Sequence, residues 1–227
     1  MHQQATSVNW DKIDTVLLDM DGTLLDLHFD SFFWMQHLPL RYSQVHSKNL
    51  QQVIADVYGP LKEKQGSLEW YCTNYWSKQF NLNIIEMQKE IKHLITERSQ
   101  ALEFLEALGA MDKKRILVTN SDRPSIELKF ANTAIEKRLD QTISSHDYGA
   151  AKEHQQFWIE LQQRVDFDPD TTLFIDDSES VLNSANTFGI SHLRSIEKPD
   201  SRQIQPTKSH YPAIDQFLSL VNSGDHG

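Results

Sequence analysis

Three apolar runs of this 227-residue chain each end in side chains suited to one chemistry. The run Thr15 to Asp19 opens into Asp19-Met20-Asp21-Gly22-Thr23, Arg115 to Thr119 ends in Thr119-Asn120, and Thr171 to Asp176 ends in Asp176-Asp177. Lys152 lies between the second and third runs. Four carboxylates gathered together would repel one another unless they share a divalent cation, and an all-oxygen donor set suits Mg²⁺. The chemistry that needs such a set is phosphoryl transfer to a carboxylate. Asp19 can attack phosphorus and divide one hard step into two easier ones. Asp21, two positions later, can protonate the leaving oxygen and then take a proton from water. Gly22 relaxes the loop so that its amide and its neighbours' can hold phosphoryl oxygens, which brings Thr23 and Asn120 into the substrate-facing set. The Thr119 hydroxyl and the Lys152 ammonium bind the remaining oxygens, and Lys152 offsets the charge of Asp19.

These residues need elements that bring them to one place. The three runs are continuous apolar segments, the pattern of parallel strands buried on both faces, and Ile190 to Leu193 is a candidate for another. Between them lie segments of helical period: Ser99 to Leu108, Pro124 to Leu139, Glu153 to Val165, and Glu179 to Phe188 with Gly189 as its C-cap. Alternating strands and helices predict an α/β fold, a doubly wound, Rossmann-like parallel sheet. In such a sheet ligands bind outside the carboxyl ends of the strands, where these polar residues fall.

The stretch from residue 27 to residue 96 differs. Phe29, Phe32 and Phe33, then Val53, Ile54 and Val57, then Ile84, Ile85 and Met87 recur at helical spacing, and the stretch holds three of the five tryptophans. It predicts a small helical cap inserted into a core made of residues 1–26 and 97–227, with breaks at Gly59-Pro60 and Gly66-Ser67. Its aromatics Trp70 and Tyr71 are the candidates for contact with a leaving group, although aromatics placed as Trp70, Tyr71, Tyr75 and Trp76 are more often core than a stacking platform. Cys72 between them reads as a small buried hydrophobe.

The sequence resembles the haloacid dehalogenase superfamily of phosphohydrolases. VLLDMDGTLLD is similar to its first motif, ILVTN to its second, Lys152 in GAAKEH to its third and LFIDDSE to its acidic fourth, in the family's order from Val16 to Glu179. The resemblance implies that Asp19 is the nucleophile and that Asp21 is the general acid and base, lending a backbone carbonyl to the metal. It further implies Mg²⁺ as cofactor, with Asp177 as direct ligand beside Asp19 and Asp21, and Asp176 ligating through water or directly. SLEWYCTNYWSKQFNL, SSHDYGAAKEHQQFW and LFIDDSESVLNSANTFGI resemble the branch of bacterial 5′-nucleotidases that act on GMP and IMP. That implies a small phosphorylated substrate, a purine nucleoside 5′-monophosphate.

Competing functions divide on single features. DxDGT alone reads as an acidic turn, Thr119 as a helix cap, Lys152 as a surface lysine and the acidic pair as an N-cap. His146 and Trp158, near Lys152, read as packing residues or as orienting ones. Phosphoglycolate and sugar-phosphate phosphatases and mutases share the core set, whereas a dehalogenase has no need of the acid at Asp21. A phospho-accepting receiver domain carries its acidic pair on the first strand, not the last, and a silent binding module is disfavoured because no position of the set is missing.

Composition bounds the remainder. Twenty-two Lys and Arg stand against 32 Asp and Glu, a formal charge of −10 that argues against nonspecific binding to nucleic acid polymers. A mean hydropathy of −0.53 and the lack of any apolar stretch of ~18 residues argue against a membrane-spanning helix. The first residues show neither a basic region nor an apolar core, so no secretory signal is expected. One cysteine can form no internal disulfide, and the chain reads as cytoplasmic.

Overall fold

The computed structural model describes residues 7–221; the tail expected after Leu220 lies largely outside them. Six parallel strands form one sheet in the order β3-β2-β1-β4-β5-β6. They are β1 (Thr15–Leu18), β2 (Lys114–Thr119), β3 (Gln141–Ser144), β4 (Thr172–Ile175), β5 (His192–Ile196) and β6 (Ala213–Ile214). All residues of β1 and β4 are buried, as continuous apolar runs require. Successive residues alternate between the two faces. Val16, Leu18, Leu117, Leu173 and Ile175 pack on one side with α7 (Ala101–Ala110) and α8 (Arg123–Phe130), and Leu17, Ile116, Val118 and Phe174 on the other with α9 (Gln155–Arg164) and α10 (Glu179–Phe188). Helices therefore cover both faces, as expected of a doubly wound sheet.

Between β1 and β2 the chain builds α1 (His28–Phe32), α2 (Leu38–His46), α3 (Leu50–Val53), α4 (Gly59–Lys64), α5 (Thr73–Phe80) and α6 (Ile84–Glu90). Gly59-Pro60 does not break this insert. The wide turn Ile54–Tyr58 joins α3 to α4 without interruption, and Phe33–His37 joins α1 to α2 in the same way. Pro39 and Pro60 each stand just beyond such a turn, which accommodates a residue with no N–H to give to the preceding turn. The break at Gly66 does occur, with φ at +80°. Phe29, Phe33, Val57, Trp76 and Ile84 of the insert join Leu18, Phe104 and Leu173 in one hydrophobic cluster.

Some elements depart from expectation. The Pro124 to Leu139 helix ends at Phe130 and only a short turn, Glu136–Arg138, follows. The strand expected at Ile190 to Leu193 lies at His192–Ile196, because Gly189 at φ +113° ends α10 and the chain must first turn. β3 has no apolar run to announce it, since its first two residues are not buried. β6 is two residues long. Of the described residues, no helix is long and apolar enough to cross a membrane.

Candidate active site

β1 is paired to β2 on one side and β4 on the other, and the chain runs outward to β3 before returning to β4. The crevice between β1 and β4 is thus the point where strand order reverses, the usual ligand site of such sheets. Leu18 pairs with Leu117 and with Ile175, so the next row holds Val118, Asp19 and Asp176. The Lys152 ammonium closes that row. It donates to Asp19 Oδ1 at 2.5 Å, to Asp176 Oδ2 at 2.7 Å and to the Val118 carbonyl at 3.0 Å.

Lys152 reaches this place because its loop is held from two sides. Its amide donates to Asn120 Oδ1 at 2.9 Å, and its carbonyl accepts the indole N–H of buried Trp158 at 2.8 Å. Trp158 thus orients the lysine loop. Asn120 also donates to Glu153 Oε2 at 3.0 Å, and the Tyr71 hydroxyl donates to Glu153 Oε1 at 2.6 Å, so Glu153 joins the sheet edge to the insert. Thr119 Oγ1 accepts the Ser121 amide at 3.0 Å. Asp21 accepts the Ser121 hydroxyl at 2.7 Å and the Lys129 ammonium at 2.6 Å.

One ligand oxygen from each of Asp19, Asp176 and Asp177 lies within 4.8 Å of the others. Gly22 makes this approach possible. Its φ is +82°, and a Cβ there would stand 2.5 Å from Asp177 Oδ2. Three hard oxygen donors around one point fit Mg²⁺. The electrostatics agree. Burial raises the Asp19 carboxyl to about 7, with Asp176 and Asp21 adding to the shift and Lys152 opposing it. Burial also lifts Asp177 well above the carboxylate range, and Asp176 and Asp19 reinforce the shift. Burial opposes the Lys152 charge, yet Asp176 and Asp19 hold the ammonium above its ordinary value. One lysine therefore leaves the cluster short of positive charge, the condition a bound cation would relieve.

A cavity of about 780 Å³ opens over this cluster. Asp19, Asp21, Thr119, Asn120, Lys152, Asp176 and Asp177 line its floor, and Trp34, Tyr58, Leu61, Trp70, Tyr71 and Gln88 of the insert line it from above. Nine of the sequence candidates are thus brought together. Gly22 and Thr23 are not: the Gly22 amide donates to the Leu25 carbonyl at 2.9 Å, and the Thr23 hydroxyl is buried without a hydrogen-bond partner away from the cavity. Trp76 is fully buried and Tyr75 packs beside the core. Cys72 is only partly buried and caps α5, its sulfur accepting the Tyr75 amide at 3.4 Å.

Sequence reasoning missed Lys129, Asp30, Asp122, Glu153 and Gln88. Lys129 did carry a signal, since Ile126, Lys129 and Phe130 share a face at i, i+3 and i+4, and a lysine on an apolar face needs a buried partner. Asp30 and Glu153 had none, because their partners are far away in the chain.

The sheet order places the acidic cluster at its switch point beneath the helical insert, the arrangement of a doubly wound α/β enzyme. The family model of haloacid dehalogenase-like hydrolases matches residues 13–189, and the chain belongs to that family. It is 36% identical over 217 residues to the GMP/IMP nucleotidase YrfG of Escherichia coli (strain K12), covering 96% of this chain and 98% of that protein. The Shigella flexneri protein of the same name matches equally. Among solved structures, a HAD phosphatase from Thermococcus onnurineus has a TM-score of 0.75 at 20% identity, covering 93% of this chain and 97% of that one. L-2-haloacid dehalogenase from Xanthobacter autotrophicus has a TM-score of 0.64 at 16% identity, covering 94% and 100%. These two likenesses speak for the fold alone.

Proposed function

We propose that the protein is a cytoplasmic Mg²⁺-dependent phosphomonoester hydrolase that works through an aspartyl phosphate on Asp19 and acts on purine nucleoside 5′-monophosphates, GMP and IMP. The observation that carries the reading is the row Val118, Asp19, Asp176 capped by Lys152 beneath a cavity whose upper wall is aromatic. Asp19 attacks phosphorus while the P–O bond to the nucleoside breaks, and Asp21 gives the leaving oxygen its proton. Water then attacks the acyl phosphate, Asp21 takes its proton, and the Asp19–phosphorus bond breaks to release phosphate. Lys152 and Thr119 hold phosphoryl oxygens, with Asn120 fixing the lysine loop. Asp19, Asp176 and Asp177, with the Asp21 carbonyl, would hold Mg²⁺, which when bound neutralises charge on the phosphoryl group.

In this reading residues 27–96 are the cap and residues 1–26 and 97–227 the core; positions 1–6 and 222–227 lie outside the described residues. The cap selects the ester, because the floor meets only the phosphoryl group that all phosphomonoesters share. The similarity to the GMP/IMP nucleotidase and the faces of Trp34, Tyr58 and Trp70 support a purine. The test is kinetics with Mg²⁺ on GMP, IMP, AMP, phosphoglycolate and a sugar phosphate. The expected order of kcat/KM places GMP and IMP first; phosphoglycolate or the sugar phosphate in first place would end the nucleotidase reading.

A further inference from the structure

We propose that Lys129 is a positioning residue for the Asp21 carboxylate and that it ties that carboxylate to the insert through Asp30; this rests on the acid–base role proposed for Asp21. The side chain belongs to α8, is 1% exposed, and threads the cluster that packs against the sheet. Its ammonium meets three oxygens of two carboxylates: Asp21 Oδ1 at 2.6 Å on the β1 loop, and Asp30 Oδ1 and Oδ2 at 3.1 and 3.0 Å on α1. The ring of buried Phe29 lies 5.5 Å below it. Ser121 holds the other Asp21 oxygen at 2.7 Å. Both carboxylate oxygens are thus fixed, and one of the two donors is shared with the insert.

A lysine sealed from water is costly to bury, and two carboxylates with short, direct contacts are what offset the cost. Asp21 lines the cavity floor and Asp30 its wall, so the pairing of Lys129 reaches into the site from both sides. The carboxylate that must exchange protons with the leaving oxygen is anchored by a cation whose second partner stands on α1, in the wall over the substrate. Seating of the insert and alignment of the acid are therefore set by one ammonium. General acid catalysis depends on such alignment, since the proton must be passed within hydrogen-bond reach.

The test exploits the leaving group. A nucleoside 5′-oxygen needs a proton to depart, whereas 2,4-dinitrophenolate does not. Rates on GMP and on 2,4-dinitrophenyl phosphate are compared for the Mg²⁺-loaded wild type, Asp21→Asn, Lys129→Met and Asp30→Asn. Lys129→Met is expected to lower kcat/KM on GMP on the order of a hundredfold while changing that on the activated ester less than about tenfold, because kcat/KM reports only the steps through departure of the leaving group, before Asp21 is needed as a base. Asp30→Asn, which leaves Lys129 paired with Asp21, is expected to show a several-fold loss in the same direction. It serves as the second arm, because Lys129→Met leaves two half-buried carboxylates without their cation and can unfold. Equal losses on both esters in Asp30→Asn and in any folded Lys129→Met overturn the proposal. An Asp21→Asn variant without leaving-group dependence overturns instead the acid–base reading beneath it.

Discussion

Asp122 joins the insert to the core, and its removal gives a calculable loss. Its Oδ2 accepts the Thr73 amide at 2.7 Å and the Thr73 hydroxyl at 2.6 Å, while Oδ1 accepts the Ser125 amide at 3.3 Å as the N-cap of α8. The carboxylate is 5% exposed and Thr73 4%, so water cannot replace the lost partner. Asp122→Ala removes a cap worth about 1 kcal/mol and two hydrogen bonds to a charged acceptor worth at least ~1.5 kcal/mol each, about 4 kcal/mol in all. That is a large part of the ~5 to 15 kcal/mol that holds a typical domain. Asp122→Asn keeps one accepting oxygen for Thr73 but turns its NH2 toward the Ser125 amide, so the charge and the cap are lost and roughly 2 kcal/mol is expected. Urea unfolding of both variants, with Thr73→Val and the double variant to isolate the pair, measures these values. A loss below about 1 kcal/mol for Asp122→Ala, or equal losses for Ala and Asn, would refute the reasoning.

Other expectations follow from the same geometry. Asp19→Asn should abolish turnover with the fold intact, because an amide is too poor a nucleophile; a near wild-type rate measured by phosphate release would point to another nucleophile. Burial holds Asp19 and Asp30 near 7, above the ~3.9 of an unfolded aspartate, so the stability their neutral forms contribute is full below about pH 4 and lost as pH rises through about 7. Metal-free protein should therefore melt lower at pH 8 than at pH 5, with Mg²⁺ raising Tm more at pH 8; a Tm independent of pH and Mg²⁺ would contradict this. Gly22→Ala should weaken Mg²⁺ binding at least tenfold by calorimetry, since its Cβ would stand 2.5 Å from Asp177 Oδ2 and its φ of +82° disfavours a side chain. Unchanged affinity would show that this contact does not set the position of Asp177.

The sheet and its polar edge were legible in the sequence because they depend on local pattern. Runs buried on both faces must be apolar throughout, and the first acidic or hydroxyl residue after each run marks the strand end, as Asp19, Thr119 and Asp176 do. Gly189 marked the end of α10 for an equally local reason, a backbone conformation that favours glycine. β3 was not legible, because at the sheet's edge it needs no continuous apolar run.

Only the tertiary structure decided how the floor is wired to the insert. Lys129 and Asp21 are 108 residues apart, Asp122 and Thr73 are 49 apart, and Glu153 and Tyr71 are 82 apart. None of these pairs leaves a periodic trace, because each depends on where two elements cross. Tertiary packing also decided which aromatics face the cavity. Trp70 and Trp76 share one segment, but Trp76 turns into the cluster with Phe80 while Trp70 remains on the cavity wall. Residue type dictated that both rings should leave water, and the direction each takes is fixed by the helix and neighbours that fold around it.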